Sequence, residues 1–202
     1  MSEEQIKLSK KVILKSMFDR IETVAGFDCS FDGIKFVCAG VVLSYKDQKI
    51  LDFVTLSGRV SFPYIPTFLS YRELPAILKA YNALKTKPDI ILVDGQGICH
   101  PRGLGIASHL GVILNKPTIG VAKSKLCGEV SENKIILNGK QVGWCIITKT
   151  GCKPLFISPG HKVSLEDSLK IVKVCIRNHK LPEPLRYAHL YANRWKHEGI
   201  QT

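Results

Sequence analysis

Acidic residues are scarce in this chain, 17 against 29 lysines and arginines in 202 residues. The deficit is uneven. Residues 111–202 hold 6 acids against 15 basic side chains, whereas residues 1–110 hold 11 against 14. A basic half points to a polyanionic partner, most simply nucleic acid, with a solvated lysine surface as the plain alternative. Long apolar runs are also missing. The longest mostly apolar stretch, Phe36 to Leu43, is far too short to cross a bilayer. The opening Met1-Ser2-Glu3-Glu4 has no apolar core, so neither a secretory signal nor a membrane partner is expected, and the location expected is cytoplasmic. Seven cysteines are present, but no C-x-x-C pair is among them. A zinc site or redox pair therefore has weak support, and reduced, buried thiols are expected.

Several signatures of chemistry are absent too. There is no G-x-x-x-x-G-K-[ST], no H-E-x-x-H and no G-x-S-x-G. Gly95-x-Gly97 is followed by His100 where a dinucleotide fingerprint needs its third glycine, and the acid expected about twenty residues later is missing. No repeat, linker or low-complexity segment divides the chain, and its length suits one domain with a full core.

What is there reads as an α/β protein. Residues 5–21 place Ile6, Ile13, Met17 and Ile21 at helical spacing, which predicts an amphipathic helix. Residues 24–31, 36–45 and 50–61 are rich in Val, Phe, Ile and Thr and are separated by short polar turns, which predicts an antiparallel three-stranded meander. Helices are expected at 69–85, 103–114, 164–179 and 184–197, with Ser164 as an N-cap. Strands are expected at 90–93, 118–121 and 155–158, and a hairpin over 134–148 around Asn138-Gly139. The sum is a mixed sheet flanked by helices, with parallel strands after the meander.

The chemistry-bearing residues cluster at predicted strand ends. Asp94 ends the run Ile90-Ile91-Leu92-Val93 before a glycine-rich turn, where open α/β sheets bind ligands. A carboxylate there needs a cation, either a side chain such as Arg102 or a metal. Asp28 faces away from Phe27, Cys29 and Phe31 in the first strand. It is a solvent-facing residue, or it meets Asp94 if the two strands are neighbours. Two carboxylates at one place favour a hard divalent ion such as Mg²⁺. Glu73, near the start of a helix, favours the helix dipole whatever else it does. Pro63-Tyr64-Ile65-Pro66 is stiff and either wedges between bases or packs its aromatic on the core. Lys123 and Lys125 follow a buried strand, where they meet a phosphate or form a solvated loop. His100, His109, His161 and His189 are candidate proton carriers.

Taken together, four segments resemble the endonuclease V (deoxyinosine 3′-endonuclease) family: Phe27-Asp28-Cys29-Ser30-Phe31; Pro63-Tyr64-Ile65-Pro66 with Tyr71-Arg72-Glu73; Val93-Asp94-Gly95-Gln96-Gly97 with His100-Pro101-Arg102; and Gly120-Val121-Ala122-Lys123-Ser124 with Leu126-Cys127-Gly128. The chain looks like a short archaeal or other prokaryotic member. The resemblance implies an RNase H-like fold and a monomer that cuts deoxyinosine-containing DNA with Mg²⁺, Mn²⁺ being able to substitute. The cut implied is at the second phosphodiester bond 3′ to the lesion, leaving 3′-hydroxyl and 5′-phosphate ends. It implies metal binding by Asp28 and Asp94, with Glu73, Lys123 and His189 completing the catalytic set. Pro63, Tyr64, Ile65 and Pro66 match the strand-separating wedge, and Leu69, Gly95, Gly105 and Leu126 the base pocket. One position departs from the family: the wedge continues with Thr67 in place of glycine. Threonine resists positive φ, which implies altered lesion preference. An inosine-directed ribonuclease on the same fold and a noncatalytic nucleic-acid-binding module are the alternatives.

Overall fold

The computed structural model describes residues 1–198. A short helix, α1 (Ser2–Ser9), precedes the strands β1 (Thr23–Asp32), β2 (Lys35–Ser44) and β3 (Ile50–Arg59). Then α2 (Leu69–Ala83), β4 (Ile90–Asp94), α3 (Ile106–Leu114) and β5 (Thr118–Ala122) alternate. Three strands follow, β6 (Glu129–Ser131), β7 (Lys134–Leu137) and β8 (Lys140–Ile146), then β9 (Leu155–His161), α4 (Leu165–Cys175) and α5 (Glu183–Glu198). All nine strands form one sheet in the order β3-β2-β1-β4-β5-β9-β8-β7-β6.

The meander forms as its composition demands, with β1–β2 and β2–β3 antiparallel. β4 then joins β1, and β5 joins β4, each in parallel. β4 is buried on both faces, as an uninterrupted Ile-Ile-Leu-Val run requires. Alternate residues of β1 and β4 therefore serve different layers. Phe27, Ile91 and Val93 pack with α2 and α3, whereas Val24, Ile90 and Leu92 pack with Val172 of α4 and Leu185 of α5. Gly26 seats α5. A Cβ there would collide with the backbone of Pro184 and Leu185 at the start of that helix. Asn138 and Gly139 take φ of 51° and 73°, the pair of positive values a two-residue hairpin turn needs. Ser164 caps α4 by accepting from the Asp167 backbone N–H.

Four expectations need correction. The amphipathic pattern over 5–21 yields helix only to Ser9. Beyond it Ile13 and Met17 are exposed, and the chain is irregular, tied by the Ile13 N–H to His161 Nδ1 and by Ser16 Oγ to Asp167. Tertiary hydrogen bonds override the local periodicity there. The parallel strands expected after the meander are β4 and β5 only: β9 runs antiparallel to β5, and β8, β7 and β6 continue antiparallel, β7 and β8 as the expected hairpin. β6 was not expected, because its three residues are all exposed and carry no alternation. The helix expected over 164–179 stops at Cys175, where Ile176 turns extended.

Candidate active site

The parallel pairing of β1 with β4 brings Phe27 opposite Val93, so the next residues, Asp28 midway along β1 and Asp94 at the carboxyl end of β4, lie side by side. Neither faces open solvent: their side chains are 11% and 19% exposed. Each has its own positive or polar partner. Asp94 Oδ2 accepts from the Lys123 ammonium, which arrives from the end of β5. Asp28 Oδ2 lies 2.7 Å from His189 Nδ1 on α5. Arg102, expected as a partner of Asp94, instead bonds Thr67 and Gln5 and stacks over Phe68.

Glu73 reaches the same place from α2. It sits one turn in from the helix start rather than in the first turn, and so gains little from the helix dipole. Burial, then the charges of Asp28 and Asp94, push its carboxyl up to about 8. Burial and Asp28 push Asp94 up to about 6, against the downward pull of Lys123. The site thus has more carboxylate than its own cations neutralise. An all-oxygen cluster short of positive charge suits a hard divalent ion. No group of three His, Cys, Asp or Glu among the described residues stands ready to enclose a metal.

Beside the carboxylates opens a cavity of about 480 Å³. Its lining includes Asp28, Glu73, Asp94, Lys123 and His189, and also Tyr64, Leu69, Gly95, Gly105 and Leu126. The residues matched to a catalytic set and to a base pocket therefore share one space. Gly105 is held to glycine because a Cβ would strike the backbone of Gln96 and Gly97, and Gly120 by the same stretch of loop from the other side. Tyr64 does not pack on the core; it is 67% exposed at the cavity mouth, with Pro63, Ile65 and Pro66 exposed around it. Of the other histidines, His109 bonds Ser70 and His161 accepts from Ile13, both away from the carboxylates.

Three contributors escaped the sequence reading. Asn193 Nδ2 donates to the His189 carbonyl at 2.9 Å and touches its ring, while Ser30 Oγ donates to Asn193 Oδ1 at 3.1 Å. Both sit one helical turn or one strand pleat from a residue already singled out, which is the only signal they carry. Gln5 of α1 is fully buried and bonds Thr67. Thr67 itself takes φ of 68°. Threonine thus takes the conformation that glycine would adopt freely, and the resistance expected of it is met as a cost on the order of 1–3 kcal/mol.

Asp28 and Asp94 side by side on neighbouring parallel strands, Glu73 and Lys123 beside them and a basic chain suit phosphodiester cleavage rather than hydride or acyl transfer. Comparison with known proteins narrows the class. The Endonuclease V family model matches residues 6–190, and the chain belongs to that family of nucleases. It is 42% identical over 205 residues to an Endonuclease V of Dictyoglomus turgidum, covering 98% of this chain and 90% of the relative. The crystal structure of Endonuclease V from Streptomyces avermitilis superposes with a TM-score of 0.89 at 34% identity, over 97% of this chain and 91% of that one. Endonuclease V of Ciona intestinalis, solved with a DNA containing an inosine followed by a ribo-adenosine, gives 0.87 at 30% identity over 97% and 95%. The expected RNase H-like fold is thereby shared with solved family members.

Proposed function

We propose that this chain is a DNA repair endonuclease that recognises deoxyinosine, the product of adenine deamination, and hydrolyses the second phosphodiester bond on its 3′ side. The observation that carries this reading is the shared cavity: the carboxylates, the lysine and the residues matched to a base pocket line one space. The flipped hypoxanthine enters between Leu69, Leu126 and the backbone at Gly95 and Gly105. Tyr64, exposed and braced by two prolines, fills the gap left in the duplex. Asp28 and Asp94 would hold the catalytic cation, with Glu73 alongside; Mg²⁺ suits such a set, and Mn²⁺ would substitute. The bound ion supplies charge stabilisation at the phosphate and a more acidic water.

The protein's own groups do the rest. His189 fixes the orientation of the Asp28 carboxylate through Oδ2. Lys123, already at Asp94, offsets the charge that develops on the phosphate. Water attacks phosphorus, the P–O3′ bond breaks, and the departing 3′-oxygen takes up a proton, which leaves 3′-hydroxyl and 5′-phosphate ends.

The test uses one labelled oligonucleotide with a single inosine, prepared as matched DNA and RNA strands, with and without divalent ions. We expect a cut one nucleotide beyond the inosine in DNA, lost on chelation, and restored by Mg²⁺ or Mn²⁺. Asp94→Asn should lower cleavage at least about a thousandfold while strand binding survives. Faster cutting of the RNA strand would convert the assignment to a ribonuclease, and metal-independent cutting would overturn the role of the aspartates.

A further inference from the structure

Thr67 is the residue in this fold whose conformation is hardest to explain locally. It is β-branched, its φ is 68°, and it joins the Pro63–Pro66 turn to α2 on the wall of the cavity. Three side chains converge on its carbonyl oxygen. Arg102 Nη2 donates at 2.9 Å, His100 Nε2 at 3.0 Å and Gln5 Nε2 at 3.1 Å. One carbonyl has two lone pairs, so three donors saturate it. Arg102 Nη2 also donates to Thr67 Oγ1 at 2.6 Å.

The donors are themselves fixed. The backbone N–H of Arg102 donates to His100 Nδ1 at 3.2 Å, which leaves the ring proton on Nε2, where the Thr67 carbonyl needs it. Burial lowers the His100 pKa and keeps the ring neutral. Arg102 Nε donates to Gln5 Oε1, and the guanidinium lies 4.5 Å from the centre of the Phe68 ring. Gln5 is fully buried although α1 is otherwise almost entirely on the surface.

We propose that Gln5, His100 and Arg102 are positioning residues that lock Thr67 in its left-handed conformation and so hold the Tyr64 turn and the adjoining pocket wall ready for an extruded base. The clamp draws α1, which touches no reacting atom, into lesion recognition and gives the loop after β4 a second part in it. This inference rests on the deoxyinosine reading above, because the base is what the locked wall would receive. A locked wall lowers the cost of ordering the loop on binding, so its loss weakens binding rather than chemistry.

The experiment combines steady-state cleavage of an inosine-containing duplex with backbone hydrogen exchange over residues 62–69. In Arg102→Met we expect faster exchange over that segment and a KM roughly tenfold higher, with kcat within about twofold of wild type. Gln5→Leu should show the same pattern at smaller size, and decides the matter if Arg102→Met does not fold. An unchanged KM with unchanged exchange, or a loss confined to kcat, overturns the clamp. If the wild type fails to cut inosine strands while the substitution still speeds exchange, the substrate reading fails and the clamp stands.

Discussion

Glu73 carries the sharpest electrostatic consequence. Its carboxyl is raised from 4.5 to about 8, by burial first and then by Asp28 and Asp94. Between those values the folded chain holds a proton that the unfolded chain has released. Stability of the metal-free protein therefore falls as pH rises from about 4.5 to about 8. In chelator, Glu73→Gln should flatten that decline and melt above wild type at pH near 8, even as it impairs cleavage; thermal melts at the two ends of the window check it, and an undiminished slope in Glu73→Gln would remove the argument. Tyr64 gives a different prediction. Because it stands exposed at the cavity mouth, Tyr64→Ala should slow cleavage of an inosine-containing duplex at least about tenfold more than cleavage of the same single strand. Equal losses on both substrates would show that the ring does not separate strands. Individual residues were legible in the sequence to the extent that their local setting was unusual. Asp94 stood out as an acid ending a buried strand. Lys123 did not declare itself as its partner, because that contact is decided by the β4–β5 register. The contact of Ser30 with Asn193 spans 163 positions and has no local signature at all.

At the scale of elements, the site depends on how closely α5 lies on β1. Gly26 permits that approach, and His189 follows on the helix it admits. Gly26→Ala should therefore push α5 outward, cost about 1–3 kcal/mol of stability by overpacking, and depress cleavage by pulling His189 from Asp28. Urea denaturation and cleavage rates measured together test this. A variant as stable and as active as wild type would show that the helix is not seated there. Strands were well read from composition because β-branched runs bounded by turns have few other uses. The orientation of β9 was not, since nothing within residues 155–161 records which neighbour it will meet. The helix over 5–21 failed for the converse reason: its spacing was helical, but side chains far along the chain captured the backbone after Ser9.

The whole molecule carries a formal charge of +12, and the excess sits in residues 111–202. Those residues include Lys123 and Lys125 on the cavity rim. Affinity for an inosine-containing duplex, measured with Asp94→Asn to prevent cutting, should fall steeply with salt. A log–log slope of magnitude at least about 3 is expected, which corresponds to three or more neutralised phosphates. A flat response would mean that the basic surface serves solubility instead. No helix among the described residues is long and apolar enough to span a bilayer.

The order in which these parts are made has its own effect. Asp28 leaves the ribosome 161 residues ahead of its partner His189. A nascent chain displays both aspartates well before α5 is translated, so Asp28 waits for its imidazole partner until that helix has been made. A premature stop codon between Asp94 and α5 would yield a polypeptide that carries both aspartates without the imidazole to which Asp28 bonds.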